Sequence, residues 1–505
     1  MALAKLISMA LVGIEAVPVK VEVDIGPGLP GFLVVGLADR SVEESRERIR
    51  SAIRHSSRKF PLAKITAHLA PSEIKKSGVQ FDLPLALAVM LADEQVKTER
   101  DLSKTLFLGG LTLEGTIQPV SGALVMAQWA SRHGLKTVVL PSVNLAEAEL
   151  ITDIELVPID ALSEAIGWLT GEWQPVESSR PPVRPVAKND DWLQIRSLEK
   201  AKRLAIIAAT GNHNLLLEGP PGAGKTMLAK AIRSILPPLN TNELIEVVKI
   251  HSVAGELTGR NLLELGRPFR SPHHTASYVA LVGGGSNPQP GEITLAHHGV
   301  LFLDELPEFP RQVLEALRQP LEDGEIRVAR AAQKVRYPAE FLLVATMNPC
   351  PCGWLGSTTH ACRCSPNQIA HYRQRVSGPI LDRIDLHLTV EPVPLAELRR
   401  PATLDRELEQ VRQLVAATRA RTAKRNGQFA NGRLPTKKLE TICHLSPAAI
   451  ALIDQANQKF QLTARGYHKT LKVARTIADL NHRDSIEPAD LAEALQYRFW
   501  DRFQG

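Results

Sequence analysis

The stretch LLLEGPPGAGKTMLAKAI, residues 215–232, constrains this chain more than any other. Leucines of a buried strand lead into a glycine-rich turn, and apolar residues then recur at helical spacing. Glycines let successive backbone N–H groups turn inward around a phosphate, and the helix that follows adds the positive end of its dipole. Gly219, Pro220, Pro221, Gly222, Ala223 and Gly224 are the expected phosphate cradle. Lys225 is placed to reach the β and γ phosphates, Thr226 to put a hydroxyl on Mg²⁺, and Met227 lies in the first helical turn. The expected cofactors are ATP and Mg²⁺, on an α/β fold.

Two further strands complete a hydrolytic constellation. GVLFLDEL ends a four-residue apolar run in Asp304 and Glu305. Asp304 is expected on the Mg²⁺ water shell, and Glu305 is expected to orient or deprotonate the attacking water. FLLVATMNP ends in Asn348, an amide able to touch the γ phosphate or that water. SGPILDRIDLHL offers Arg383, whose forked guanidinium suits a phosphate in its own or a neighbouring subunit. Its neighbours Asp382 and Asp385 offer an ordinary ion pair instead. HKTLKVARTIADL supplies Arg475 as a second arginine for phosphate.

Around this centre the chain divides by pattern. Residues 1–171 mix strands and helices. Residues 172–191, rich in Pro, Ser and charge, read as a linker. Residues 192–393 form the α/β nucleotide block, and 394–505 read as helical. The net charge of +6 over 505 residues permits a polyanionic partner without demanding one. There is no run of about eighteen apolar residues, so no membrane span is expected. No convincing leader precedes the strand-like KVEVDIGPG. Four of five cysteines sit in one cluster, unlike a secreted disulfide framework, which points to the cytoplasm.

That cluster is CPCGWLGSTTHACRC, with Cys350 and Cys352 separated from Cys362 and Cys364 by nine residues. Four soft thiolates suit tetrahedral Zn²⁺ in a closed structural site. His360 is an alternative ligand, and free or redox-sensitive thiols are the competing reading. Cys443 stands alone and reads as core.

Between Glu305 and Asn348 lies GEIRVARAAQKVRYPAEF, residues 324–341. Alternation in EIRVAR and KVRYP reads as a basic hairpin, with Arg330 and Lys334 near its turn as the expected contacts to a DNA backbone.

Together these motifs resemble an AAA+ ATPase. RPFRSPHHTASYVALVGGGSNPQPGEITLAHHGVLFLDELPEF, LRQPLEDGEIRVAR and MNPCPCG resemble its magnesium-chelatase-like branch. GIEAVPVKVEVDIGPGLPGFLVVGLADRSVEESRERIRSAI is similar to proteins of the ComM/YifB type. The resemblance implies a homo-hexameric ring that drives branch migration on DNA in recombination or natural transformation, with junction-like DNA and recombination proteins as partners. It implies that Gly219 to Thr226 are Walker A, Asp304 and Glu305 Walker B, and Asn348 sensor 1. It further implies that Arg383 is an arginine finger, that Arg475 is sensor 2, and that 255–295 is an insertion in helix 2. The hairpin then becomes the pre-sensor-1 hairpin of the central channel. The family usually has GQ before the AK of LEKAKRLAIIAAT; this chain has IRSLEK, so adenine contacts there are not carried over. A metal-insertion or protein-remodelling motor is the alternative function.

HLAPSEIKKSGVQFDLPLALAVML and LTLEGTIQPVSGALVMAQWASRHGLKTVVLPSVN resemble the Lon protease domain, a ribosomal S5 domain 2-like fold shared with the RadA branch-migration protein. The nucleophilic Ser of that family falls at Gln80 and its Lys at Met126, which excludes the usual dyad. Ser77 with Lys75 or Lys76 is the local substitute. Arg46, Arg48, Arg50, Arg54, Arg58 and Lys59 make either a DNA-entry collar or a solvated helix.

Overall fold

The computed structural model describes residues 3–37, 39–175, 190–257, 266–285, 288–329, 334–357, 360–394, 397, 405–427 and 429–498. The chain forms two compact units. One comprises Met1–Pro185, Thr241–Leu265 and Ser286–Pro290; the other comprises Val186–Asn240, Gly266–Gly285 and Gly291–Gly505. Most of the expected linker lies outside the described residues.

The first unit is built on a mixed seven-stranded sheet. Its strand order is Gly31–Val35, Lys64–Ala70, Glu15–Gly26, Ala4–Val12, Thr105–Phe107, Thr137–Pro141, Glu155–Ile159. Period-two alternation places Val19, Val21 and Val23 inside and leaves Lys20 and Asp24 exposed. The helix Asp82–Ala92, apolar on nearly every side, is buried along its length, as continuous hydrophobicity requires. Thr241–Val253 belongs to this unit and not to the nucleotide block. Val248 and Leu257 pack with Leu124, and the Gly122 N–H donates to the Ser252 carbonyl at 3.0 Å. An apolar helix face takes the cover it finds, whatever its place in the sequence.

The second unit holds a five-stranded, all-parallel sheet in the order Phe269–Arg270, Val300–Leu303, Leu342–Met347, Leu215–Glu218, Leu386–Thr389. Strand order reverses beside Leu215–Glu218, and ligands of open parallel sheets bind at the carboxyl ends beside such a reversal. The helices Asp405–Asn426, Pro447–Phe460, Ala464–Leu480 and Pro488–Gln496 do not form a separate compact body. Val415, Ala474 and Ile477 share one apolar core with Leu215, Leu217 and Ala208. Among the described residues, no helix is long and apolar enough to cross a membrane.

Candidate functional site

The phosphate loop leaves the sheet at Gly219. A Cβ there would stand 2.3 Å from the Val390 carbonyl oxygen, so no other residue fits. Gly224 has φ +86° and hands over to the helix Lys225–Ile235. Lys225 is buried beneath the loop. Its ammonium donates to the carbonyls of Gly219 at 2.5 Å and Pro220 at 3.0 Å, and to Asn348 Oδ1 at 3.0 Å. Burial pulls its pKa down, while Asp304, Glu305 and Glu218 pull it back up. Phosphate oxygens are stronger acceptors for this ammonium than two carbonyls and an amide.

Asp304 stands next to Thr226, with the Thr226 hydroxyl 3.3 Å from its Oδ2. This hydroxyl–carboxylate pair is an oxygen donor set that would suit Mg²⁺, directly or through water. The Thr346 hydroxyl hydrogen-bonds the other Asp304 oxygen and accepts the Glu305 N–H at 3.1 Å. Thr346 therefore ties the Asp304 carboxylate to the Glu305 backbone. The lone hydroxyl in the apolar run FLLVATM was the sequence signal for it. Glu305 has φ +55° and its side chain is 51% exposed, free to meet a water. His274 Nδ1 lies 3.8 Å from its carboxylate. Behind the loop, Glu218 is buried, which raises its pKa, and Arg373 at 3.3 Å opposes that rise.

The two arginines read from sequence end in different places. Arg383 lies apart from Asp382 and Asp385, pairs with Glu322 at 2.6 Å, and is only 11% exposed. Arg475 is corrected. It is fully buried, with its guanidinium donating to Asp479 at 3.0 Å and to the carbonyls of Arg483 and Asp484. It ties helix Ala464–Leu480 to the turn beyond it and presents nothing to a phosphate. Its setting among apolar residues mid-helix marked the inward face. Arg465, in the first turn of the same helix and 47% exposed, instead joins Arg383 on Glu322. Sequence reading missed it, although an arginine beside the helix N-cap Thr463 faces outward by position.

The basic segment is a two-stranded antiparallel hairpin, Glu325–Ala329 with Lys334–Pro338. Ile326, Val335 and Tyr337 are buried. Arg327 faces Arg336 directly across the ladder, and both are exposed. Like charges directly opposite are unfavourable in a sheet; Glu325, 2.6 Å from Arg327, offsets one of the two. Arg330 lies outside the described residues, as does the Lys334 side chain.

The four-cysteine cluster closes on itself. Cys350, Cys352 and Cys362 sulfurs are 3.4–3.7 Å apart, and all four sulfurs lie within 4.8 Å of one another. Tetrahedral zinc with bonds of about 2.3 Å sets sulfurs about 3.8 Å apart, so the donor set fits that ion. Backbone N–H groups of Arg363 and Trp354 draw the Cys352 thiol down to about 6. His360 stays outside the group, stacked on Trp354 at 4.2 Å. Cys443 is in the core, its thiol pushed up to about 11 by burial.

In the first unit the peptidase positions hold packing residues. Met126 is fully buried, and the Gln80 amide donates to the Ser77 carbonyl at 2.9 Å. The Lys76 ammonium is buried on the Pro71 carbonyl, with its pKa lowered by desolvation. The basic helix Arg40–His55 is partly committed inward: Arg48 pairs with buried Asp82 at 2.7 Å, and Arg46 donates to the Phe32 carbonyl at 3.2 Å.

Comparison with known proteins adds an independent view. Residues 191–398 match the family model described as magnesium chelatase, subunit ChlI; residues 21–144 match one described as subunit ChlI of Mg-chelatase; residues 406–498 match its C-terminal model. Competence protein ComM of Haemophilus influenzae is 41% identical over 504 residues, covering 99% of this chain and 98% of its own length. YifB of Escherichia coli is 41% identical over 503 residues, with the same coverage. Lon protease 1 of Myxococcus xanthus is 25% identical over 174 residues, 32% of this chain and 21% of its own.

Proposed function

Because the chain belongs to the ComM/YifB family of magnesium-chelatase-like AAA+ proteins, we propose that it is an ATP-driven motor that moves branched DNA during recombination or competence. The observation that carries the catalytic half is one cluster: Lys225 on Asn348, Thr226 on Asp304, and Asp304 and Glu305 both tied to Thr346. Lys225 and the loop N–H groups bind the triphosphate. Thr226 and Asp304 would hold Mg²⁺, which would supply positive charge to the triphosphate. Glu305 orients the attacking water and takes its proton, and Asn348 fixes the geometry of the γ phosphate.

Two features support a ring and a DNA track. Arg383 and Arg465 meet on one acid, Glu322, so a neighbouring copy's phosphate can take them both. In this reading six copies form the ring and Arg383 acts in the next subunit's site. The exposed Arg327–Arg336 pair sits on the hairpin between Glu305 and Asn348, where hydrolysis can move it against a phosphate backbone. The bacterial cytoplasm is the setting.

The deciding experiment is ATP hydrolysis by the purified protein with and without a mobile four-way DNA junction, scoring junction movement in the same tube. Stimulation together with ATP-dependent movement supports the reading; basal hydrolysis indifferent to DNA overturns it. A chelatase-type remodelling motor is favoured by the family descriptions themselves and would be stimulated by a protein partner instead.

A further inference from the structure

We propose that the four-cysteine cluster is a zinc staple for the nucleotide site: metal occupancy sets the position of Asn348 and of the phosphate loop. The inference rests on the ATPase reading above and names a control of that same site. The chain touches the site where it enters the cluster, inside it and where it leaves.

On entry, Asn348 takes the Lys225 ammonium at 3.0 Å, and fully buried Cys350 follows two residues later. Inside the cluster, Gly353 has φ +82° and lies flat on the phosphate loop. A Cβ there would be 2.7 Å from the Pro221 ring and 3.9 Å from the Asn348 side chain. On exit, Ser365 directly after Cys364 caps the helix Pro366–Gln374 with a reciprocal capping box. That helix returns two side chains. Tyr372 is buried, its phenol pushed up to about 12 by that burial with the Asn348 N–H opposing the rise, and Arg373 pairs at 3.3 Å with Glu218, the residue before Gly219.

The loop from Cys350 to Cys364 thus begins and ends on the same few ångströms of catalytic structure. Held by one ion, its two ends are fixed to each other. With the ion gone, the loop is left to neutral contacts such as Trp354 on His360 and the thiols on one another, and a flexible loop of this length leaves its ends free to separate. Asn348 is then free to shift, and Lys225 loses its amide partner. Displacements of about 1 Å at such groups lower turnover on the order of 100-fold.

The test uses the full-length protein. Bound zinc is measured, removed with a thiol-competing chelator, and restored with Zn²⁺ alone. Turnover, labelled-ATP affinity and far-ultraviolet circular dichroism are followed throughout. The expectation is one zinc per chain, turnover falling on the order of 100-fold on stripping with ATP affinity weakened and helical signal kept, and recovery with zinc. Less than one zinc per chain, or equal turnover and affinity with and without it, overturns the staple. Should the stripped protein unfold, Arg373→Gln decides, because it cuts the tie from the helix after Cys364 to Glu218. It leaves all four thiols in place, and zinc-loaded protein with wild-type turnover overturns the coupling. Zinc-loaded wild-type protein without turnover means the ATPase reading has failed; labelled-ATP affinity with and without zinc then settles the staple on its own.

Discussion

At Lys225 a buried ammonium has three oxygens around it; at Met126 a thioether sits wholly inside an apolar core. Each marks the place where an enzyme family keeps a lysine. In the nucleotide unit the polar groups converge: Lys225 bonds the Asn348 amide, and the hydroxyls of Thr226 and Thr346 both meet the Asp304 carboxylate. In the N-terminal unit they have dispersed, with Gln80 turned back on Ser77 and Lys76 on Pro71. The folds are both kept because apolar patterning keeps them. Chemistry survives only where buried polar atoms still satisfy each other.

The sharpest test of that contrast is Lys225→Ala, expected to lower ATP turnover on the order of 1,000-fold with little change in the melting curve. Glu305→Gln should bind ATP and stall, read as nucleotide retained on a filter. The opposite outcome belongs to Met126→Lys. A charge there has no partner, so stability falls by more than about 3 kcal/mol, and no peptidase activity appears even alongside Gln80→Ser. A fluorogenic casein assay and a urea melt check both halves.

A second contrast lies within one helix. Arg475→Ala removes a buried pair and two carbonyl partners, and should cost about 3 kcal/mol in a urea melt. Arg465→Ala should melt almost as wild type yet lower turnover under conditions where subunits associate. If Arg465→Ala matches wild type at every protein concentration, its role at a neighbour's phosphate is wrong.

Acid should act on the nucleotide unit through His213. It is fully buried against Thr476 at 2.7 Å, and burial holds its pKa at about 4. The folded state therefore binds fewer protons than the unfolded chain between about pH 6.5 and 4. Stability falls across that window as pH drops, by an amount on the order of 3 kcal/mol from this group; buried His387, also held low by burial, adds to the fall, and His213→Asn should lessen it in melts from pH 7 to 4. The smallest effect is expected at the hairpin. Arg336→Ala should leave basal hydrolysis unchanged, weaken DNA stimulation, and reduce the salt slope of DNA binding by about 1.

Much of the site was legible because phosphate chemistry allows few substitutes. A backbone approach of 2.3 Å at Gly219 admits only glycine, and apolar strands ending in Asp304–Glu305 and in Asn348 announce polar tips. The hairpin was legible through period-two alternation in EIRVAR and KVRYP. Arg475 went wrong because an arginine among apolar residues reads equally as a ligand contact and as a buried tie. Only its partners at Asp479 and two carbonyls decide. The helix Thr241–Val253 was misplaced for a different reason: sequence neighbours are not packing neighbours.

That misplaced helix carries a consequence for how the protein comes into being. During synthesis residues 1–185 leave the ribosome first, while the segment that covers Leu124, Leu150 and Ile151 is still unmade. The N-terminal unit has to wait, with an apolar face open to water or to a chaperone, until residues beyond 257 have emerged. Cutting the chain at the proline-rich segment therefore yields an incomplete body and not a domain. Its soluble form requires the distant helix supplied back, in cis or as a separate peptide.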